Sequence, residues 1–286
     1  MHYTLNAEDA KIKCPVCNCG SYFWVRLNNV LLNKCDECNH VFTDIVSIAK
    51  EETYGSEYYL NTHRNWFKNP NYKLFSIIAE NIKSCNAKSL LDVGCGDGAL
   101  LNYLGRILGD IELNGIDLSA VVPREAGFTF LQGDFMTFDF KRKFDVIVSL
   151  AVIEHINDVS SYVQRVHGLL NSDGTAYLMT VNSSGILYRL SYLLRRLGVD
   201  SVFNRLYDPH HLNHFSKQSL SRLLTKEGLF RVEKIINHNA PLAAIDCPAS
   251  NNLIERMMRL GVGIVFFIGK ITQKTYLQTI IVSKIS

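Results

Sequence analysis

The segment of this chain that most constrains its fold is residues 91–100, Leu-Asp-Val-Gly-Cys-Gly-Asp-Gly-Ala-Leu. It places Gly94, Gly96 and Gly98 between an apolar run at residues 89–93 and a helical pattern at residues 99–108. Glycines there allow a tight turn and let a ligand approach the backbone, while the start of a helix offers unpaired N–H groups. The segment predicts a strand, a turn and a helix that bind a nucleoside-like ligand, with a plain strand-to-helix turn as the alternative.

Strand-like and helical patterns alternate after this turn, which is typical of an α/β fold with a largely parallel sheet and helices on both faces. Strands are predicted at residues 89–93, 115–117, 129–131, 144–149, 174–181, 230–236 and 277–284, and helices at 99–108, 159–170 and 219–227. The predicted units are a helical connector at 47–84 and a core at 85–286. Within the core, an insertion at 183–214, rich in Tyr, Leu and Arg, is expected to cover the active site as a lid.

The composition of the chain is typical of one globular enzyme domain with a small additional module. Of the 286 residues, 47% are hydrophobic, and the net charge of +3 lacks the basic excess that marks most nucleic-acid-binding proteins. The N-terminus has no basic segment followed by an apolar one, so no secretory signal is predicted and the expected location is cytoplasmic.

Cysteines punctuate the N-terminal region in two Cys-x-x-Cys pairs, Cys14 with Cys17 and Cys35 with Cys38. This spacing predicts a zinc ribbon over residues 1–46, in which four thiolates form a closed, structural zinc site. Cys19 and His40 are spare potential ligands. The remaining cysteines are predicted to be plain thiols: Cys85, Cys95 and Cys247.

A C-terminal apolar segment leaves its partner open. Its longest apolar run, residues 260–269, is half the roughly 20 residues that a membrane-spanning helix needs, so no transmembrane segment is predicted. Because Arg256, Arg259 and Lys270 flank apolar residues, residues 253–271 are compatible with a helix lying on a membrane surface. A buried helix and a homodimer-forming helix are the alternatives.

The run Leu-Asp-Val-Gly-Cys-Gly-Asp-Gly resembles the first motif of class I S-adenosylmethionine-dependent methyltransferases. Asp117, 23 residues beyond Gly94 and at a predicted strand end, matches the acid that accepts both ribose hydroxyl protons. Asp134 and Phe135 match the adenine-binding position, which nicotinamide-dependent enzymes do not require. Residues 144–156 resemble the strand-four motif with its trailing Glu-His. Asp92 and Asp134 could instead be turn-stabilising acids.

The resemblance implies a Rossmann-like fold and S-adenosylmethionine as cofactor. The cofactor site that it implies consists of Asp92, Gly94, Cys95, Gly96, Asp97, Gly98, Asp117, Leu118, Asp134, Phe135, Ser149 and Leu150.

Histidines are the candidate general bases for the proton of the methyl acceptor, since a free histidine titrates near about 6.5. His155 follows the fourth predicted strand, and the segment Asp-Pro-His-His-Leu-Asn-His-Phe-Ser carries His210, His211 and His214. That segment resembles the Asp-Pro-x-His-Leu motif of small-molecule methyltransferases, which implies His211 as the base. His155 and His214 are the fallbacks; a backbone-bonded lid histidine and a metal site are the alternatives.

The predicted function is methylation of a small molecule, such as a sugar or nucleotide sugar of surface polysaccharide or natural-product biosynthesis. The alternative methyl acceptors are a lipid-linked or quinone-like molecule and ribosomal RNA held by the zinc ribbon. A further alternative is a non-catalytic binding module. Between Cys14 and Cys38 only Arg26 and Lys34 are basic, too few for the phosphate contacts that dominate RNA affinity.

Overall fold

The computed structural model describes residues 12–27, 30–44, 64–119, 127–246 and 252–285. Cys247 and residues 47–63 of the predicted connector lie outside the described residues. The described strands are β1 Ser21–Leu27, β2 Val30–Cys35, β3 Val41–Thr43, β4 Ser89–Val93, β5 Glu112–Asp117, β6 Thr129–Gln132, β7 Phe144–Leu150, β8 Leu170–Val181, β9 Asn213–His214, β10 Phe230–His238 and β11 Leu277–Lys284. The described α-helices are α1 Arg64–Lys68, α2 Tyr72–Cys85, α3 Ala99–Ile107, α4 Val159–Leu169, α5 Ile186–Arg196, α6 Ser201–Leu206, α7 Lys217–Thr225 and α8 Asn252–Ile271.

The central sheet has seven strands in the order β10-β11-β8-β7-β4-β5-β6. The five strands from β8 to β6 are parallel to one another, whereas β11 runs antiparallel to both β8 and β10. This arrangement confirms the predicted Rossmann-like α/β fold. In the register, Val93 pairs with both Ile116 and Ser149, so β4, β5 and β7 end at one edge of the sheet.

Alternate residues of the buried strands supply the two faces of this sheet. Leu90 and Val148 pack into one apolar cluster together with α2 and α3, while Leu91 and Ile147 pack into a second cluster with α4 and α7. Since side chains of a strand alternate between faces, a continuous apolar run such as β4 requires helices on both sides. The helices predicted for both faces are therefore present.

The three N-terminal strands form a second sheet that is not self-contained. β1, β2 and β3 pair antiparallel, and β9 of the insertion adds a fourth strand beside β3, with Val41 opposite His214. Leu27 and Leu32 of these strands are buried in the same cluster as the core. We call residues 12–44 the N-terminal module; it is joined to the core by shared strands and shared apolar contacts.

The insertion at residues 183–214 packs on the N-terminal module, whereas the sequence predicted a lid over the active site. The Trp24 ring stacks on Tyr192 with centroids 5.2 Å apart and meets Tyr207 edge-on at 5.5 Å. The aromatic side chains of α5 and of the end of α6 thus pack against Trp24 of the N-terminal module. Among residues 183–214, only His211 lines the central cavity. Closure of the insertion over the cavity stays a prediction.

The remaining helices differ from prediction mainly at their ends. The helix predicted at 219–227 begins earlier because the Ser216 hydroxyl accepts from the Ser219 N–H in a capping box, so α7 starts at Lys217. Within the described ranges, no helix combines the length and apolar content that crossing a membrane requires.

Candidate cofactor and acceptor site

A cavity of about 540 Å³ opens where β4, β5 and β7 end. Ligands of open α/β sheets bind at this carboxyl edge. The glycine turn forms one side of the cavity, and Glu154, His155 and His211 form another. We call the side with the glycine turn the cofactor half and the side with Glu154, His155 and His211 the acceptor half.

The glycine turn between β4 and α3 depends on left-handed backbone at Gly94, where φ is 70°. A Cβ built on Gly94 would lie 2.5 Å from Cγ2 of Val152, so a side chain there would displace the segment that follows β7. Gly98, with φ of 75°, is the N-cap residue of α3. The turn therefore needs glycine for both its backbone conformation and its packing.

Asp117 ties the end of β5 to this turn. Its Oδ2 accepts from the Gly96 N–H at 2.8 Å, and its Oδ1 accepts from the Ser119 N–H at 2.8 Å. Nearby, burial raises the pKa of the Asp92 carboxyl well above its ordinary value, and the charge of Asp117 raises it further. Asp117 is thus held at the cavity wall, tied both to the glycine turn and to the residues after β5.

Asp134 and Phe135 line the cavity at the neighbouring strand end. The Asp134 Oδ1 accepts from the Met136 N–H at 2.8 Å, so this acid does stabilise its own turn, the alternative that the sequence left open. The Arg165 guanidinium lies 5.4 Å from the Phe135 ring centroid and fixes that ring from behind.

Most of the expected cofactor residues line the cavity, namely Asp92, Gly94, Cys95, Asp97, Asp117, Leu118, Asp134, Phe135 and Leu150. Gly96, Gly98 and Ser149 do not. Ser149 instead lies behind the wall, where its hydroxyl is 2.7 Å from that of Tyr162, a lining residue. These contacts fit the nucleoside-containing cofactor that the motifs imply, with a carboxylate at the end of β5 and a glycine turn beside it.

The acceptor half centres on three titratable side chains. Glu154 and His155 lie in the 3₁₀ turn Ile153–His155 directly after β7, and the His155 ring meets the His211 ring edge-on with centroids 4.9 Å apart. Their candidate ligand atoms all lie within 4.8 Å of one another, close enough to hold a divalent cation. The sequence predicted both histidines here, but it did not assign Glu154 a role.

Glu154 is fully buried, and burial raises the pKa of its carboxyl to about 7. The His155 Nδ1–H donates to the His210 carbonyl at 2.9 Å, which leaves the ring's lone pair on Nε2. The signal that could have identified Glu154 is its position: an acid immediately after a buried strand, followed by histidine, at the ligand-binding edge of the sheet.

His214 lies elsewhere. It belongs to β9, is completely buried against Tyr207 with ring centroids 4.5 Å apart, and does not line the cavity. Burial lowers its pKa well below the ordinary value, so its ring is neutral. Of the three candidate bases, His214 is therefore the one that the structure places away from an acceptor.

The N-terminal module holds the His211 segment in place. The Thr43 N–H donates to the Leu212 carbonyl at 2.9 Å, and the Thr43 hydroxyl donates to the His211 carbonyl at 3.2 Å. His40, whose pKa burial lowers to about 4, contacts Asn213 Oδ1 through Nε2 at 3.1 Å. The Asn213 amide in turn donates to the Ile156 carbonyl at 2.7 Å, just beyond His155.

The four cysteines of the two Cys-x-x-Cys pairs converge at one end of this module. The Sγ atoms of Cys14 and Cys38 are 3.6 Å apart, those of Cys17 and Cys35 3.4 Å, and those of Cys17 and Cys38 3.6 Å. A tetrahedral zinc with bonds of about 2.3 Å separates its sulfurs by about 3.8 Å. The cluster fits a structural zinc site, and Cys19 lies outside it.

Aromatic side chains that the motifs did not predict complete the cavity wall. Trp66 and Phe67 reach it from α1, and Tyr276 reaches it from the residue before β11. The sequence gives no signal for Tyr276, because it follows α8 and is brought to the site only by the fold.

Comparison with known proteins identifies the family to which this chain belongs. A methyltransferase-domain family model matches residues 61–234, more than half of the chain. A ubiquinone biosynthesis O-methyltransferase of Methylococcus capsulatus is 29% identical over 65% of this chain and 86% of its own length. The corresponding protein of Pelagibacter ubique is 26% identical over 52% of this chain.

The match spans less than two thirds of that Pelagibacter protein, 64% of its length. A solved N-methyltransferase, NodS from Bradyrhizobium japonicum, overlaps 76% of this chain and 88% of its own with a TM-score of 0.45 and 12% identity. On the extent of the family-model match, the chain belongs to the methyltransferase-domain family.

Proposed function

We propose that this protein transfers a methyl group from S-adenosylmethionine to a hydroxyl or amine of a small molecule. The observation that carries the proposal is one cavity that joins the Asp117-tied glycine turn to the Glu154–His155–His211 cluster. A cofactor held at the first end presents its reactive group toward titratable side chains at the second.

S-adenosylmethionine supplies an electrophilic methyl group on a sulfonium, which a nucleophile displaces in line. Asp117 would bind the ribose hydroxyls, and Asp134 with Phe135 would bind the adenine. His211 would accept the proton that the acceptor loses, while His155, oriented through its Nδ1–H to the His210 carbonyl, packs against it. Alignment of the reacting groups and removal of this proton are the two contributions of the chain.

The acceptor side favours a hydroxylated aromatic or lipid-linked molecule over the sugar-type acceptor that the sequence predicts. Trp66, Phe75, Met179 and Tyr276 contribute apolar surface to the cavity. A polyhydroxylated sugar needs a polar partner for most of its hydroxyls, whereas an apolar ring is recognised by such walls. The names of the ubiquinone-pathway relatives support the same class.

The test is incubation of purified protein with methyl-labelled S-adenosylmethionine and a cell extract, followed by partition into organic, aqueous and nucleic-acid fractions. We expect label in the organic fraction, and much less of it when the Asp117→Ala variant replaces the wild-type protein at subsaturating cofactor. Label in aqueous sugars would restore the sugar-type acceptor, and label in RNA would assign the N-terminal module to RNA. No incorporation, together with no calorimetric binding of S-adenosylhomocysteine, would refute the proposed activity.

A further inference from the structure

The C-terminal helix α8 is attached to the protein along one side. The buried Phe266 ring stacks on Tyr276 with centroids 5.9 Å apart, and its carbonyl accepts from the Asn239 amide at 3.0 Å. Arg259 donates to the Leu242 carbonyl at 2.8 Å. These contacts fix the rotation of α8 about its axis and hence which residues face outward.

The outward side of α8 is apolar along its whole length. Its most exposed apolar residues recur at spacings of three, four and seven and are each 52–67% exposed: Leu253, Met257, Leu260, Ile264, Phe267 and Ile271. At 1.5 Å per residue this stripe is about 27 Å long. The outer face of a helix in a water-soluble protein normally carries charged and polar residues, and a continuous apolar surface of this size marks an interaction site.

The charges beside the stripe indicate what covers it. Glu255 is the one acid of α8, and Arg259 neutralises it at 2.9 Å. Arg256 and Lys270, near the two ends, are exposed and form no ion pair with any described residue. Helix α5, which contacts α8, contains no acid and exposes Leu193 and Leu197 together with Arg189 and Arg196.

An apolar stripe flanked by unneutralised cations is complementary to an anionic lipid surface, where acyl chains receive the apolar residues and phosphates receive the cations. A second copy of the chain would bring the same cations onto the same face, and the one acid of its α8, Glu255, is already paired with Arg259. Charge complementarity therefore favours a membrane surface over self-association.

The wall of the cavity lies directly behind this helix. Tyr276, which stacks on Phe266, lines the cavity, as does Pro241, which precedes the 3₁₀ turn Leu242–Ala244 against which α8 packs. We propose that α8 docks the protein on an anionic membrane surface and that the cavity receives an acceptor with an apolar tail from that surface. The docking stands independently; the delivery of an acceptor rests on the proposed function.

Co-sedimentation with vesicles tests the docking. We expect binding to vesicles that contain phosphatidylglycerol, and much weaker binding to vesicles of phosphatidylcholine alone. The double variant Leu260→Glu, Phe267→Glu should bind more than about tenfold more weakly, since both side chains lose their insertion into acyl chains. Replacing Arg256 and Lys270 by glutamine should cost about fivefold per charge, and added salt should reduce binding further.

Phe23→Glu is the control, because Phe23 is also exposed, at 57%, but lies on β1 of the N-terminal module. It should bind vesicles as the wild type does. Undiminished binding of the double variant would overturn the proposal. So would light scattering that shows a lipid-free wild-type dimer dissociated by the double variant, since a second copy would then cover α8.

Calorimetry with S-adenosylhomocysteine separates this proposal from the proposed function. All variants should bind it with wild-type affinity, because no described residue of α8 lines the cavity. A wild-type protein that binds vesicles but not S-adenosylhomocysteine would contradict the proposed function and leave the docking intact.

Discussion

The cofactor half and the acceptor half of the cavity are built in opposite ways. The cofactor half is built within the central sheet, from the glycine turn at residues 92–98 and the ends of the neighbouring strands, and a hydrogen bond from the Gly96 N–H to Asp117 ties the turn to β5. The acceptor half gathers the turn after β7, the insertion and the N-terminal module, whose Thr43 holds the segment with His211. Substitutions in distant segments should therefore leave cofactor binding intact, whereas they should impair the acceptor half.

Loss of the cysteine cluster is expected to have the largest effect. Cys35→Ser should release the metal and unfold β1–β3, because a structural zinc contributes about 10–16 kcal/mol to the folding of a small domain. We expect turnover to collapse, since Thr43 no longer holds the His211 segment, while a soluble fraction still binds S-adenosylhomocysteine. Elemental analysis measures the bound zinc, calorimetry measures the affinity for S-adenosylhomocysteine, and a methyl-transfer assay measures the turnover.

Cys19→Ser is the matched control and should keep both metal and activity, because Cys19 lies outside the four-sulfur cluster. Anaerobically purified wild-type protein without zinc would refute the metal assignment. Equal losses of cofactor binding and turnover would refute the division into two halves.

His211→Ala should lower the turnover number by about 10²–10⁴, the usual cost of removing a general base. Affinity for S-adenosylhomocysteine should stay the same, since His211 lies in the acceptor half. His210→Ala is the control, because its side chain does not line the cavity and its carbonyl still accepts from His155. Retention of more than about a tenth of wild-type turnover would reduce His211 to a packing residue and transfer the test to His155.

Asp117→Ala tests the cofactor half. Removing a carboxylate that accepts two ribose hydroxyls should weaken S-adenosylhomocysteine binding by about 1.5–3 kcal/mol. Asp110→Ala, an exposed acid before β5, serves as the control in the same calorimetric titration. Unchanged affinity of Asp117→Ala would contradict the assignment.

The smallest expected effect is on pH dependence. With its pKa raised to about 7, Glu154 is mostly protonated below that pH and becomes a carboxylate above it. A carboxylate beside His155 and His211 stabilises a proton taken up by the cluster, so turnover should rise about tenfold between pH 6 and 8. Glu154→Gln should flatten this rise. A wild-type profile that falls with pH over this interval would contradict the assignment.

What could be predicted from the sequence differs between the cofactor half and the acceptor half. β4 with its glycine turn and Asp117 are recognisable because the chemistry lies in neighbouring residues of a periodic pattern. β9 has only two residues, and its partner β3 lies about 170 residues away in the chain, so no local pattern could predict the pairing. The resemblance of the Asp-Pro-x-His-Leu segment ranked His211 ahead of His214, but no local pattern could show that His214 would be buried in β9. For α8 the sequence predicted a helix but left open whether its apolar side would be buried or face outward.

The stacking of Trp24 on the insertion has a consequence for where this chain can be shortened. A version that begins at residue 64 would retain the family's core, yet it would uncover Tyr192, Phe203 and Tyr207, which now pack around Trp24. It would also leave β9 without the strand beside it. Exposed aromatic surface and an unpaired strand both promote aggregation. The smallest soluble catalytic unit should therefore include the N-terminal module, and insolubility of the shortened chain would not by itself indicate a misfolded central sheet.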